Sequence, residues 1–588
     1  MAKSDPSLNR RKFIMATGAG VSLFAAGCKK QPIPPPKMEI PPPVESPPIA
    51  ETSARPTHDV EDLLEFEYTD EEWSQFISNW EEQLENIRGV RTFSHPNTLA
   101  PAQVFDPRLP GVEYGSENTS LSVAANPSAI PKNKEDIAFA PATHLAHWIK
   151  TQQITSLELT ELYLERIQKY NTKLQCFITV TPELARKQAA QADAEIKSGM
   201  YRGPVHGLPY GLKDLFNTKD ISTTWGAAPF KDKVATSDAH IVTKLRDAGA
   251  VLLGKSSCGA LAYGDIWFGG VTRNPWDVRE GSSGSSAGSA SATAAGLVAF
   301  SIGTETQGSI ISPSVRCGVT GLRPTFGRVG RTGGMTLCWS LDKIGAICRS
   351  VEDTAIVLQA INGHDQQDPG SIPTQFGYDN DMVISELKVG YDPQFFNNPN
   401  TPTAIKMALD SAREIGVQLK EVTLPQTDRR GLQIQLQVEA AAAFEELTKT
   451  NRDDELRWQV DRAWPNSWRQ ARLIPATAYI QADRLRRLFM QDMHQLFEEV
   501  DVIIGGNFAG GMLQITNFTG HPQLTLRCGF QDREIKASYE ETSVVEGEKS
   551  NFPASIGLWG PLFGESKLLA VGRALEEQFN VRSMRPSL

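Results

Sequence analysis

The chain has 588 residues, 40% of them hydrophobic and 22% charged, and a formal net charge of −10. That length suffices for a large buried core, and the composition is that of a globular protein rather than a disordered or fibrous one. The acidic balance, with no basic stripe, argues against a phosphate-tracking surface, so no nucleic-acid partner is expected. The seven cysteines (Cys28, Cys176, Cys258, Cys317, Cys338, Cys348 and Cys528) include no CxxC pair, which leaves no zinc or thioredoxin-type site. Apart from Cys28, they read as small buried apolar groups.

The first element is an address. Arg10, Arg11 and Lys12 precede an uncharged run from Phe13 to Gly27, the order of basic and apolar regions in a signal peptide. The Arg10-Arg11 pair with Phe13 resembles a twin-arginine signal. Phe24-Ala-Ala-Gly27-Cys28 resembles a bacterial lipobox, with Ala25 where such boxes usually carry leucine. The apolar run falls short of the roughly 20 residues that span a bilayer. The reading is therefore a signal over residues 1–28 and an exported, periplasmic protein, with two outcomes at Cys28: lipidation, which anchors it to a membrane, or plain cleavage after a small residue, which leaves it free. Export in the folded state implies folding among reduced thiols, so no disulfide framework is expected.

Residues 29–57 form a linker, with ten prolines between 31 and 56, which reads as an extended polyproline spacer. Residues 58–140 read as a helical extension and an arm. Thr69 and Glu72 match a capping box, and Trp73, Phe76, Ile77, Trp80, Leu84 and Ile87 follow at helical spacing until Gly89. Residues 90–140 are irregular. The main domain is expected over 141–588. It opens with helices over Ser156–Tyr170 and Pro182–Lys197, the second with proline in its first turn and Gly199 beyond its end. Ala250–Leu253 and Val298–Ile302 read as buried strands, and 430–500 as a helix-rich insertion. Helices alternating with short apolar strands indicate a mixed α/β sheet.

Two motifs are decoys. Gly249-Ala-Val-Leu-Leu-Gly254-Lys255-Ser256 fits the P-loop formula, but its variable positions are strand-like and a helical segment precedes it. Gly284-Ser285-Ser286-Ala287-Gly288 fits the G-x-S-x-G elbow with Ser286 as nucleophile, yet a polar loop, Arg279–Ser283, stands where an apolar strand is required.

A wider constellation carries more information. Lys213 lies in an apolar stretch, Gly207-Leu-Pro-Tyr-Gly-Leu-Lys213-Asp214, and desolvation lowers a lysine pKa by up to several units. Ser285 and Ser309 sit in glycine-bearing turns whose backbone amides can converge on an oxyanion. No histidine falls in these segments, and a neutral lysine can serve as the base that a serine nucleophile needs. These segments resemble the amidase-signature family. The match continues through Thr272–Asp277, Cys317–Gly327, Ser340–Gly345, Asn517–Pro522 and Gly557–Pro561, and spans roughly residues 141–580.

The resemblance implies an α/β fold: a single large amidase-signature domain, a mixed β-sheet flanked by helices on both faces, with an N-terminal extension. It implies an amidase working without metal or cofactor on a small-molecule amide. Lys213 would be the base, Ser285 the bridging serine and Ser309 the nucleophile; the 24 residues between the two serines fit the family. Backbone N–H groups of Thr306, Gln307, Gly308 and Ser309 would form the oxyanion hole. Glu305, Gln307, Ile311 and Ala287 stand where the family usually has Asp, Gly, Arg and Gly. Two other readings use the same residues: the A subunit of a tRNA-dependent glutamine amidotransferase, which the signal, the spacer and the acidic balance oppose, and a catalytically silent binding lipoprotein, which the intact Lys213, Ser285 and Ser309 oppose.

Overall fold

The computed structural model describes residues 69, 71–72, 74–75, 80–91, 96–114, 119–124, 127, 129–537, 544 and 546–588. The signal segment, Cys28 and the proline spacer lie outside them. The chain divides into two compact units, Met1–His95 and Pro96–Leu588.

In the first unit, Thr69 and Glu72 form the expected box: Thr69 N donates to Glu72 Oε2 at 2.8 Å and Glu72 N to Thr69 Oγ1 at 3.3 Å. A helix spans Trp80–Arg91. It runs through Gly89, which is not among the left-handed glycines; a glycine ends a helix by adopting that conformation, not by its presence alone.

The second unit is built on an eleven-stranded sheet. Its strands, numbered in chain order, are β1 Phe177–Val180, β2 Pro209–Lys213, β3 Val251–Ser256, β4 Phe300–Glu305, β5 Thr320–Arg323, β6 Lys343–Cys348, β7 Lys388–Tyr391, β8 Gln418–Glu421, β9 Val502–Gly506, β10 Gln523–Glu534 and β11 Lys549–Trp559. Their spatial order is β8-β7-β9-β11-β10-β5-β6-β4-β2-β3-β1. The sheet is mixed: β2 pairs parallel with both β3 and β4, and β7 with β8 and β9, while the hairpin β10–β11 and the pairings from β10 through β5 and β6 to β4 are antiparallel.

Both faces are covered, as side-chain alternation shows. In β9, Val502 and Ile504 belong to one apolar cluster and Ile503 to another; in β11, Leu558 and Trp559 divide the same way. Among the described residues no helix is long and apolar enough to cross a membrane.

Local chemistry explains the element limits. The helix Ser156–Leu174 starts at a complete capping box between Thr155 and Glu158 and ends at left-handed Gln175, one turn beyond the expected Tyr170. The helix Pro182–Lys197 has the expected limits. The second expected strand begins at Phe300 rather than Val298, because Gly296 turns at φ 64° and the chain joins β2 only at Ala299, whose N–H donates to Pro209 O. Residues 430–500 hold the helices Gln433–Ala443, Glu445–Lys449, Trp464–Ala471 and Ala476–Glu499. The P-loop-like residues follow the helix His240–Asp247, turn at Gly249 (φ 81°) and enter β3. The six described cysteines are free and buried.

The C-terminal helix Glu565–Phe579 is locked to the sheet side by a buried ion pair: Arg328 Nε and Nη2 each donate to Glu565 at 2.8 Å, and Thr325 N adds a third bond to the same carboxylate. Both residues are fully buried. Removing one partner of such a pair costs about 3–5 kcal/mol, because the other charge is stranded. Arg328→Met should lose that much stability in urea denaturation; a loss below about 1 kcal/mol would contradict the assignment.

Candidate active site

Lys213 is the last residue of β2. Every residue of that strand is buried, and pairing on both edges fixes where the side chain leaves the sheet. Its Nζ donates to Ser285 Oγ at 2.8 Å, to Thr304 Oγ1 at 2.8 Å and, more weakly, to Thr304 O at 3.4 Å. Burial lowers its pKa from the ordinary 10.5 to about 7, although Cys258, Asp342 and Glu305 pull upward. Among the described residues two other lysines, Lys255 and Lys343, are fully or nearly fully buried, and they differ in kind. Lys255 faces Asp214 at 3.0 Å and bonds Phe216 O and Thr223 Oγ1. Lys343 donates to the carbonyls of Leu341, Thr306 and Asn517. Of the three amines, only that of Lys213 touches the hydroxyl of a candidate serine.

Ser285 follows a cis Gly284–Ser285 peptide. A side chain at position 284 is impossible, since a Cβ there would lie 1.8 Å from Gly264 O. The Ser285 carbonyl accepts from Gly259 N at 3.3 Å, and Ser286 N donates to Ser309 O at 3.0 Å. The latter bond draws the two serine turns together.

Ser309 is 8% exposed, while Lys213 and Ser285 are completely buried. Its turn leaves β4 and is shaped by Glu305, whose Oε2 accepts from Ile310 N at 2.8 Å and Ile311 N at 2.9 Å. Oε1 accepts from Arg323 and Asn517, each at 2.8 Å. Burial opposes the Glu305 charge, but Arg323 and the amide of Ile311 hold its carboxyl below the ordinary range. Gly308 has φ 98°, which reserves the position for glycine. Thr306 Oγ1 donates to Asp342 at 2.6 Å, and the other oxygen of Asp342 takes the amides of Leu337 and Cys338. The N–H groups of Thr306, Gln307, Gly308 and Ser309 donate to no backbone acceptor among the described residues.

The structure thus brings Lys213, Ser285, Ser309 and the turn 306–309 into one site. Ser286, nucleophile of the elbow reading, is spent elsewhere: its hydroxyl donates to Thr304 O at 3.1 Å and accepts from Thr304 N at 3.2 Å. The segment before it is no simple polar loop; Asp277–Gly281 pairs with Arg273–Asn274 in a small ribbon outside the main sheet. Ile311 is fully buried. Sequence reading missed Thr304, the second partner of Lys213, and the roles of Asp342, Arg323 and Asn517. Those last three lie in the segments that carried the family resemblance, but nothing in the sequence tells which turn each would support. Among the described residues, no group of three His, Cys, Asp or Glu could hold a metal ion.

The Lys213 value has a thermodynamic consequence. The folded amine titrates near 7 and the unfolded one near 10.5, so between those values the unfolded chain binds the extra proton. The fold is destabilised at and below pH 7, and the penalty fades toward pH 10.5. Lys213→Met removes it. The variant should therefore be more stable than wild type at pH 6, by up to about 5 kcal/mol, with the advantage shrinking as pH rises. A difference that stays constant from pH 6 to 10 would contradict the shift.

Comparison with known proteins bears on this geometry. The family model described as Amidase matches residues 158–569. The chain is similar to the A subunit of the glutamyl-tRNA(Gln) amidotransferase of Chromohalobacter salexigens, with 31% identity over 484 residues covering 76% of this chain and 98% of the relative. Among solved structures it is similar to the peptide amidase of Stenotrophomonas maltophilia, with 28% identity, a TM-score of 0.64 and coverage of 76% of this chain and 98% of that one. A bacterial aryl acylamidase shares the fold at 20% identity and a TM-score of 0.63, covering 76% and 99% of the two chains.

Proposed function

The chain belongs to the amidase family, and from that membership we propose that it hydrolyses carboxamide C–N bonds through an acyl-enzyme built on Ser309, Ser285 and Lys213. The observation that carries the proposal is the 2.8 Å contact of a fully buried lysine amine, with a pKa of about 7, to the Ser285 hydroxyl. A general base works best when its pKa lies near the working pH. Neutral Lys213 takes the proton of Ser285 Oγ as Ser285 takes that of Ser309 Oγ. Ser309 Oγ then bonds to the amide carbon, and the oxyanion forms against the amides of residues 306–309. Collapse breaks the C–N bond; the amine leaves with a proton returned through Ser285. Water, deprotonated along the same path, cleaves the ester and restores Ser309. No step calls for a metal or cofactor.

Ser309→Ala should abolish labelling by a serine-directed fluorophosphonate and cut kcat/KM by at least about 10³-fold. Labelling that persists in the variant would move the nucleophile elsewhere. A wild-type protein that never labels would favour the silent binding role.

The 31% identity to the A subunit of an amidotransferase supports a second reading, a glutaminase component working with partner chains. The N-terminus separates the two. Arg10-Arg11, the apolar run and Cys28 support export and a lipid anchor, which fit a periplasmic amidase and not a cytosolic tRNA-dependent assembly. Replacing Arg10 and Arg11 by lysines should shift the protein from the membrane and periplasmic fractions to the cytosol. An unchanged distribution would count against twin-arginine export.

A further inference from the structure

A cavity of about 810 Å³ opens between the segment 103–114 and the helix Ala476–Glu499. None of Lys213, Ser285 and Ser309 lines it. One of its walls lies outside residues 158–569, the span matched by the family model, so this chain's own extension completes it.

The wall is firmly held. Upstream of it, Asn97 accepts from Thr336 N at 2.7 Å and donates to Thr336 O and Ala443 O at 2.8 and 3.1 Å. Within it, the Phe105 ring lies 3.2 Å from the Arg486 guanidinium and edge-on to Phe326.

The opposite wall makes an unmet demand. Gln435 is 1% exposed. Its Nε2 donates to Asp483 at 2.8 Å, while its Oε1 is buried without a hydrogen-bond partner. A buried amide oxygen in that state calls for an N–H or O–H donor.

Charge supplies a second requirement. Four arginines line the cavity against Asp106 and Asp483. Arg108 is spent on Asp106, and Arg486 on the carbonyls of Ser340 and Phe518. Arg484 bonds Gln481, and Arg487, which makes no hydrogen bond among the described residues, lies within electrostatic reach of Asp106. Arg484 and Arg487 stand three positions apart on the helix and so share a face. Guanidiniums in that arrangement suit a carboxylate. Val104, Leu109 and Ile480 add apolar surface.

We propose that this cavity is a second binding site, for a short peptide with a free C-terminal carboxylate. The carboxylate meets Arg484 and Arg487, a peptide N–H donates to Gln435 Oε1, and small apolar side chains lie against Val104, Leu109 and Ile480. The site does not depend on the catalytic assignment of Ser309.

Calorimetric titration of the full chain with trialanine, and with the neutral alcohol Ala-Ala-alaninol, tests it. Trialanine should bind at least tenfold more tightly than the alcohol, and fluorophosphonate-treated protein should bind it equally well. The double variant R484E/R487E alters exposed positions and should lose the preference, with circular dichroism verifying its fold. Gln435→Leu should weaken both ligands about tenfold. Equal binding of acid and alcohol, a preference that survives R484E/R487E, or binding blocked by the fluorophosphonate would overturn the proposal. The labelling itself reports separately on the catalytic reading.

Discussion

The structure turns on one desolvated amine. Lys213 ends a strand paired on both edges, wholly out of water, with two hydroxyls and a carbonyl as its polar neighbours and no carboxylate in bonding contact. Burial disfavours its charged form, and its polar neighbours are neutral, so none offsets that penalty as a carboxylate in contact would. Lys255 is buried as deeply and burial lowers its pKa too, but Asp214 at 3.0 Å opposes that shift and gives its charge a partner. What sets Lys213 apart is its partner, the hydroxyl of the proposed bridging serine, because depth is common to both.

The rest of the site holds that amine against a shaped turn. A single carboxylate, Glu305, gathers two backbone amides, an arginine and an asparagine, and so fixes the chain from 305 to 311. Asp342 does the same for Thr306 and for the loop at 337–338. Glu305 is fully buried and Asp342 half-buried, and each accepts from several donors, the condition under which a polar network rigidifies a protein. The turn thereby keeps N–H groups that no backbone acceptor among the described residues takes, and little freedom to spend them on itself. That preorganisation is what stabilising an oxyanion requires.

Much of this was legible in the chain. Lys213 in an apolar run and the glycine-bearing turns at 285 and 309 are local signals, their spacing speaks only through the family resemblance, and all three lie at the candidate site. The helix Pro182–Lys197 was legible to its last residue because proline and glycine mark both ends. What escaped depends on pairing across the sheet. Thr304 reaches Lys213 because β4 runs parallel to β2, a register that no local pattern states. Phe300 rather than Val298 opens that strand because the left-handed turn at Gly296 delays its entry. Gly89 lies inside a helix where it was expected to end one, since a glycine permits a left-handed turn without imposing it. The second cavity was out of reach because its walls are 370 residues apart in places, as from Asp106 to Ala476 at the start of the facing helix.

The most direct test is the ionisation of Lys213 itself. Lysine Nζ and Cε resonances, assigned by loss of one signal in Lys213→Arg, should show a group that gives up its proton near pH 7. An amine that stays protonated to pH 10 would leave Ser285 and Ser309 without a base and contradict the account.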